Sequence, residues 1–181
     1  MILKRHEYAS DMSESNLNTK FSGSGFTIHG LKDQEDSLQI PTLDNVKAIE
    51  IGEIALNLGV ARKLPIAIEV RLGDWTIFHA SLPGSTPDND WWINRKARVV
   101  MKTGHSTLYE RVLAEETGVD WFAKHGVSEE EYAIHGGGLP INVKGKGLVG
   151  VLLISGLPQV KDHLLGVEIL TEYLARKGEV S

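Results

Sequence analysis

The sequence predicts one α/β domain, of the α+β type, with a mainly antiparallel central sheet flanked by helices. Three observations carry that prediction. The 181 residues suit a single domain and are too few for two ordinary ones. Two pairs of short apolar runs are joined by tight glycine turns, Leu72-Gly73-Asp74 and Gly145-Lys146-Gly147, as in hairpins. Helical stretches separate the pairs, so the order reads β-α-β-β-α-α-β-β-α. That order favours an antiparallel sheet with helices packed on it over a doubly wound parallel sheet.

Each element has its own signal. Residues 1–30 read as a flexible tail or a partner-binding arm, because Ser10 to Gly25 is rich in Ser, Asn, Asp and Gly with few apolar anchors. Residues 31–178 form the α/β domain. Ser37 to Ile40 is a short first strand, stopped by Pro41. Thr42 is a helix cap, and Leu43, Val46, Ile49, Ile54, Leu58 and Ala61 approximate a helical stripe ending near Lys63. Ile66 to Val70 is a buried strand, and Trp75 to Ala80 returns as its hairpin partner. Leu82 to Pro87 is a loop. Asp88, Asn89 or Asp90 caps a helix through Trp91 to about Lys102, and Ser106 caps another to about Thr117. Asp120 to His125 is a short helical turn, and Ser128-Glu129-Glu130-Glu131 begins a further helix. Leu139 to Lys144 and Leu148 to Ser155 are strands. Pro158 opens a last helix, with the stripe Val160, Leu164, Val167, Leu170 and Leu174.

Composition removes whole classes of function. Hydrophobic residues make up 41% of the chain, which excludes a wholly disordered or fibrous protein. The longest apolar stretch, Leu148 to Ile154, is strand-sized and far below the ~18–20 residues of a membrane helix. The start, Met1 to Glu7, turns charged too early for a signal peptide, so a soluble cytoplasmic protein with no membrane partner is expected. With no cysteine there are no disulfides, thiolate nucleophiles or cysteine-ligated metals. Lys+Arg 19 against Asp+Glu 24 gives a net charge of −5, which disfavours nucleic acid as a partner.

Several motifs invite chemistry. Gly145-Lys146-Gly147-Leu148-Val149-Gly150 matches the dinucleotide fingerprint letter for letter, but a strand follows where a helix N-terminus would have to hold phosphate. It reads as a hairpin turn. His135-Gly136-Gly137-Gly138 resembles the oxyanion loop of some esterases, yet no serine sits in a G-x-S-x-G elbow, which sets a serine hydrolase aside. The glycine run fits a ligand loop or tight backbone packing equally well. The seven histidines show none of the local spacings of a metal site. His79, on an aromatic strand, reads as a satisfied histidine, whereas His135 and His163 are candidates for function. Asp162 does not automatically orient its neighbour His163, because adjacent helical residues diverge. On the helix that follows Pro87, Trp91, Arg95, Arg98 and Lys102 share a face. That face is either a solvated or intersubunit surface or an anion site.

Three strings together resemble a known family. They are Leu82-Pro83-Gly84-Ser85-Thr86-Pro87-Asp88-Asn89-Asp90 with Trp92 and Arg95-Lys96; His135-Gly136-Gly137-Gly138-Leu139-Pro140-Ile141; and Ile154-Ser155-Gly156-Leu157-Pro158-Gln159 with Asp162-His163. From about Leu31 to Leu174 the chain resembles the GlcG/HbpS-like superfamily, often labelled haem-degrading and related to the PduO C-terminal domain, in its branch of uncharacterised small proteins. The resemblance implies an antiparallel sheet flanked by helices and a homo-oligomer, a dimer or higher. It also implies a small anionic ligand, with haem or another tetrapyrrole as one class, between the His135 glycine loop and the Arg95 helix. On that reading Arg95 and Lys96 pair ligand carboxylates, and His135 or His163 is the polar or axial contact. Backbone N–H groups of Gly136 and Gly137 line the wall, and Asp88, Asn89, Trp92, Ser155 and Asp162 complete the ligand-binding set. No metal is expected apart from an iron at His135 or His163 if haem binds. Two other readings stand beside it: an oligomeric scaffold for another protein, and an enzyme acting on a small organic acid.

Overall fold

The computed structural model describes residues 25–178. The described elements are α1 (Ile28–Ser37), α2 (Asn45–Arg62), β1 (Ala67–Leu72), β2 (Trp75–Ser81), α3 (Pro87–Thr103), α4 (Thr107–Thr117), α5 (Trp121–His125), β3 (Gly138–Val143), β4 (Gly147–Ser155) and α6 (Gln159–Arg176). The strands form one sheet in the order β2-β1-β4-β3, and every pairing is antiparallel. The fold is therefore the α/β sandwich that the hairpin signals predict. Of the expected tail, residues 1–24 lie outside the described residues.

Strands β1, β3 and most of β4 are buried on both faces, which explains why β4 reads as an unbroken apolar run, while the edge strand β2 is largely open. Side chains alternate across a strand, so Leu152 and Ile154 join α2 and α6 through Ile51, Ile54, Ile169 and Leu170. Val151 and Leu153 meet Ile93, Ala97 and Val100 of α3 on the other face. Each fully buried aliphatic side chain contributes about 1.5–3 kcal/mol, so these two layers supply most of the driving force. Glycine sets how closely the layers approach: a Cβ at Gly52 would lie 2.2 Å from the Phe78 ring, and one at Gly166 2.3 Å from Leu139.

Several local expectations are corrected. Ser37–Ile40 is not a strand. Ser37 ends α1, which Thr27 caps by accepting from the Gly30 N–H at 3.0 Å, and Ile40 makes only an isolated parallel bridge to Val143. Helix α1 has little apolar stripe to read, because its buried residues are Leu31 and Glu35. The cap of α2 is Asp44, not Thr42, and the inner face runs through Ala48, Ile51, Ile54, Ala55 and Gly59. Val46 and Ile49 point outward, at 65% and 41% exposure. In α6 Leu164 is likewise outward, because the buried face is centred on Leu165, Ile169 and Tyr173. Helix α3 starts at Pro87 with Thr86 as its cap, and the Asn89 side chain accepts from the Thr86 N–H at 2.8 Å. No helix begins at Ser128. That segment is a turn whose carbonyls at Glu129, Glu131 and Tyr132 accept from Arg95 and Arg98 instead of continuing a helical ladder.

Candidate functional site

The glycine loop enters β3 beside the start of α6 and against one side of α3. Lys96 of α3 reaches inward across this junction. Its Nζ donates to the Ile154 carbonyl at 2.8 Å and to Asp162 Oδ2 at 3.1 Å, with only 3% and 2% of the two side chains exposed. Asp162 also accepts from the Leu157 N–H at 3.0 Å and from the Gly156 N–H. Burial lowers the pKa of Lys96, and it raises that of Asp162 to about 6 although Lys96 and the Leu157 and Gly156 N–H groups oppose it. Such a pair is costly to desolvate and costlier to break.

Gly137 is what lets these groups meet. Its φ is +118°, and a Cβ there would stand 2.3 Å from the Ile154 carbonyl and 2.7 Å from Lys96 Nζ. Gly136 is packed as closely: a Cβ would fall 2.1 Å from the Gln159 carbonyl, and its N–H donates to Gln159 Oε1 at 3.3 Å. Gly138 donates to Thr107 Oγ1 at 3.0 Å. The glycine run thus brings backbone against backbone and helix.

On the outer side of the loop stands an aromatic and cationic cluster. His135 packs edge-on against Trp92 at 5.0 Å, and the Arg95 guanidinium lies 4.0 Å from the Trp91 ring and 4.5 Å from that of Trp92. Arg95 is 5% exposed, so it leaves the cationic surface face expected of Trp91, Arg95, Arg98 and Lys102. Its Nη2 holds the Glu129 and Tyr132 carbonyls, while Nε and Nη1 are buried without a hydrogen-bond partner. Both ring nitrogens of His135 are shielded in the same way. Burial, with Lys96, Arg111 and Arg95 nearby, holds His135 down at about 3, so its imidazole is neutral at physiological pH.

His163 lies on the inner side. It is 1% exposed, and burial holds it at about 4. Its Nε2 lies 2.7 Å from Gln34 Oε1 of α1, Phe26 meets its ring edge-on at 6.1 Å, and Nδ1 has no partner. Helix α1 is clasped there by Glu35, whose carboxylate accepts from the Ser106 N–H at 2.7 Å and lies 2.8 Å from His105 Nδ1. That contact raises the pKa of His105.

The structure therefore brings Trp92, Arg95 and His135 together as one cluster, and Lys96, Gly137 and Asp162 as another behind it. Asn89 donates to Ser155 Oγ at 3.3 Å inside the fold, and Asp88 is exposed at the start of α3. Gln159, within the third string, also shapes the region, as do Gln34, Glu35 and His105, which no motif in the sequence marks. Among the described residues no group of three or more His, Asp or Glu is arranged to hold a metal ion, and no helix is long and apolar enough to cross a membrane.

Comparison with known proteins agrees with this architecture. The family model described as "Haem degrading protein HbpS-like" matches residues 43–171. A UPF0303 protein of Streptomyces avermitilis is 41% identical over 150 residues, covering 83% of this chain and 92% of the relative. One of Brucella anthropi is 39% identical, covering 79% and 85%. Among solved structures, Ybr137w superposes with a TM-score of 0.77 at 27% identity, over 91% of this chain and 97% of that one. The PduOC:heme complex (TM-score 0.62, 14% identity, 72% and 94% covered) and HbpS (0.56, 17%, 85% and 95%) share the fold. The chain belongs to the family described as "Haem degrading protein HbpS-like".

Proposed function

We propose that this protein is a cytoplasmic, homo-oligomeric binding protein for a small planar anion, and that a tetrapyrrole such as haem is the class its residues fit best. One observation carries the reading. Around Trp92, Arg95 Nε and Nη1 and both His135 ring nitrogens are shielded and unpartnered. Buried polar groups are ordinarily satisfied, and each one left unmade costs about 1–3 kcal/mol, which a ligand supplying partners recovers. A carboxylate suits the two free guanidinium nitrogens. A neutral imidazole with an unused nitrogen suits a haem iron. Trp91, 49% exposed, adds flat apolar surface beside them. Bound haem would supply an iron centre and visible absorption, while the chain's own part is to grip and orient. Arg95 pairs with the ligand in this reading, and Lys96 and Asp162 hold the wall behind it. The family's description supports the haem class.

The test is a haem titration of the full chain, followed by tryptophan quenching and the haem absorption band. Saturable binding is expected, weakened about tenfold or more in Arg95→Ala and in His135→Ala, the loss of one charge-assisted contact being about 1.5–3 kcal/mol. His135→Ala should also change the absorption spectrum. Equal affinity and unchanged spectra in both variants would overturn the assignment. Val46, Ile49 and Val60 leave apolar side chains exposed on one face of α2, which suits self-association through that helix. Light scattering that returns a single-chain mass at all micromolar concentrations would remove that part. The same exposed residues of α2 favour a second reading, a scaffold for another protein, which predicts no saturable quenching by any small planar anion.

A further inference from the structure

The β1–β2 hairpin carries a polar cluster on its α3-facing side, away from the glycine loop. Glu69, with 9% of its side chain exposed, stands directly opposite His79 in the register. Its Oε1 accepts from Arg71 Nε and from Thr76 Oγ1, the latter at 2.9 Å. Its Oε2 lies 3.0 Å from His79 Nδ1. The other ring nitrogen, Nε2, lies 3.2 Å from Ser81 Oγ, and Ser81 is exposed. A break in register makes this convergence possible. Val70 pairs with Phe78 but Arg71 pairs with Thr76, so Ile77 is an extra residue. The bulge turns Thr76 and His79, three apart, toward one carboxylate.

We infer that Ser81 is a nucleophile activated by His79 and oriented by Glu69, an acyl-transfer site for small neutral or cationic esters. Glu69 fixes the tautomer: with Nδ1–H donating to its carboxylate, Nε2 is the acceptor for the Ser81 hydroxyl. Such a constellation is recognised by geometry and not by sequence order, which is why the absence of a G-x-S-x-G elbow does not bear on it. In the first step Ser81 Oγ forms a bond to the ester carbonyl carbon while its proton passes to His79 Nε2. The bond from that carbon to the leaving oxygen then breaks, and the alcohol departs with the proton from Nε2. In the second step water attacks the acyl carbon and gives a proton to Nε2. The carboxylic acid leaves, and Ser81 regains its proton.

The surroundings set the substrate class and the pace. Asp90 of α3 has Oδ1 3.5 Å from His79 Nε2, with no hydrogen-bond donor on that oxygen. It favours the imidazolium that forms during attack and repels anionic esters. Glu69 and Asp90 are thus the carboxylates that face His79, from β1 and α3, and Arg71 lies behind Glu69. Ser81 is open to solvent, so water receives much of the developing oxyanion charge. A preorganised donor is worth about 10²–10³ in rate, so turnover is slow and confined to esters with good leaving groups.

The experiment uses the full chain and p-nitrophenyl acetate, with release of nitrophenol and the intact mass followed together across pH. One acetyl group on Ser81, located by peptide mass spectrometry, is expected, and Ser81→Ala should abolish it without moving the thermal midpoint. His79→Gln should slow acylation about 100-fold or more, the usual share of a positioned base. Glu69 acts through His79 as a positioning residue. Glu69→Gln should therefore slow acylation about tenfold or more with the thermal midpoint unmoved, and Glu69→Asp should restore part of the rate, which a purely structural role would not do. Acylation at other residues only, an equal rate in a folded Ser81→Ala, or equal acylation rates in the parent and Glu69→Gln would each overturn the proposal.

Discussion

Lowering the pH from 7 to 5 should destabilise the fold, and His163→Gln isolates one share of that loss. His163 is 1% exposed, and burial holds its imidazole at about 4 against the ordinary 6.5. Between those two values the unfolded chain binds a proton at this position and the native chain does not, so stability falls as pH drops. From pH 7 to pH 5 the two values give a loss of about 2 kcal/mol for this single group. His135, held at about 3, acts with the same sign. Asp162, raised to about 6, and His105, raised by Glu35, act with the opposite sign, because both bind their proton more tightly when folded. The parent's slope is therefore composite, but the difference between parent and variant is not. Urea unfolding followed by tryptophan fluorescence at both pH values measures it. Between pH 7 and 5 the variant should lose about 2 kcal/mol less than the parent, or about 4–8 °C less in Tm. Equal losses would refute the assignment of a neutral, proton-resisting His163.

Other substitutions probe the wall behind the cluster. Lys96→Met leaves Asp162 buried without its cation and should cost about 3–5 kcal/mol in urea unfolding. Adding Asp162→Leu to it should recover most of that loss. Gly137→Ala should cost several times more than Gly145→Ala when thermal midpoints are compared. Both positions have positive φ, but a Cβ at 137 strikes the Ile154 carbonyl at 2.3 Å whereas one at 145 meets nothing within 4 Å. Glu35→Gln should speed amide exchange in α1 and around Ser106, because the carboxylate that clasps both is weakened.

Local chemistry made much of the fold legible. Ser106 caps α4 as expected, and the apolar run Leu148–Ile154 is a central strand buried on both faces. The two glycine turns do join hairpins. What escaped was whatever depends on distant partners. Helix α1 docks through Gln34 and Glu35 as well as through Leu31, so its attachment carries little of the apolar periodicity from which helices are read. The rotation of α6 that buries Asp162 and His163 and turns Leu164 outward follows from Lys96, 66 positions away. The cluster was legible as residue types, with Trp92, Arg95 and His135 all singled out. The different postures of the adjacent Arg95 and Lys96 were not, because successive helical positions diverge by about 100° and only the packing of α3 decides which turns inward.

Arg95 links two events that would otherwise be separate. One nitrogen of its guanidinium holds the turn at Glu129 and Tyr132, and the other two face the cluster at Trp92. A planar cation cannot tilt toward a new partner without moving all its nitrogens together. If the cluster takes a ligand as proposed, filling it would pull on the surface turn, and a partner seizing the turn would change affinity at the cluster by the same factor by which the ligand changes the partner's affinity. In an assembly where a neighbour or another protein rests on residues 128–132, occupancy would be reported at the surface through a single rigid lever.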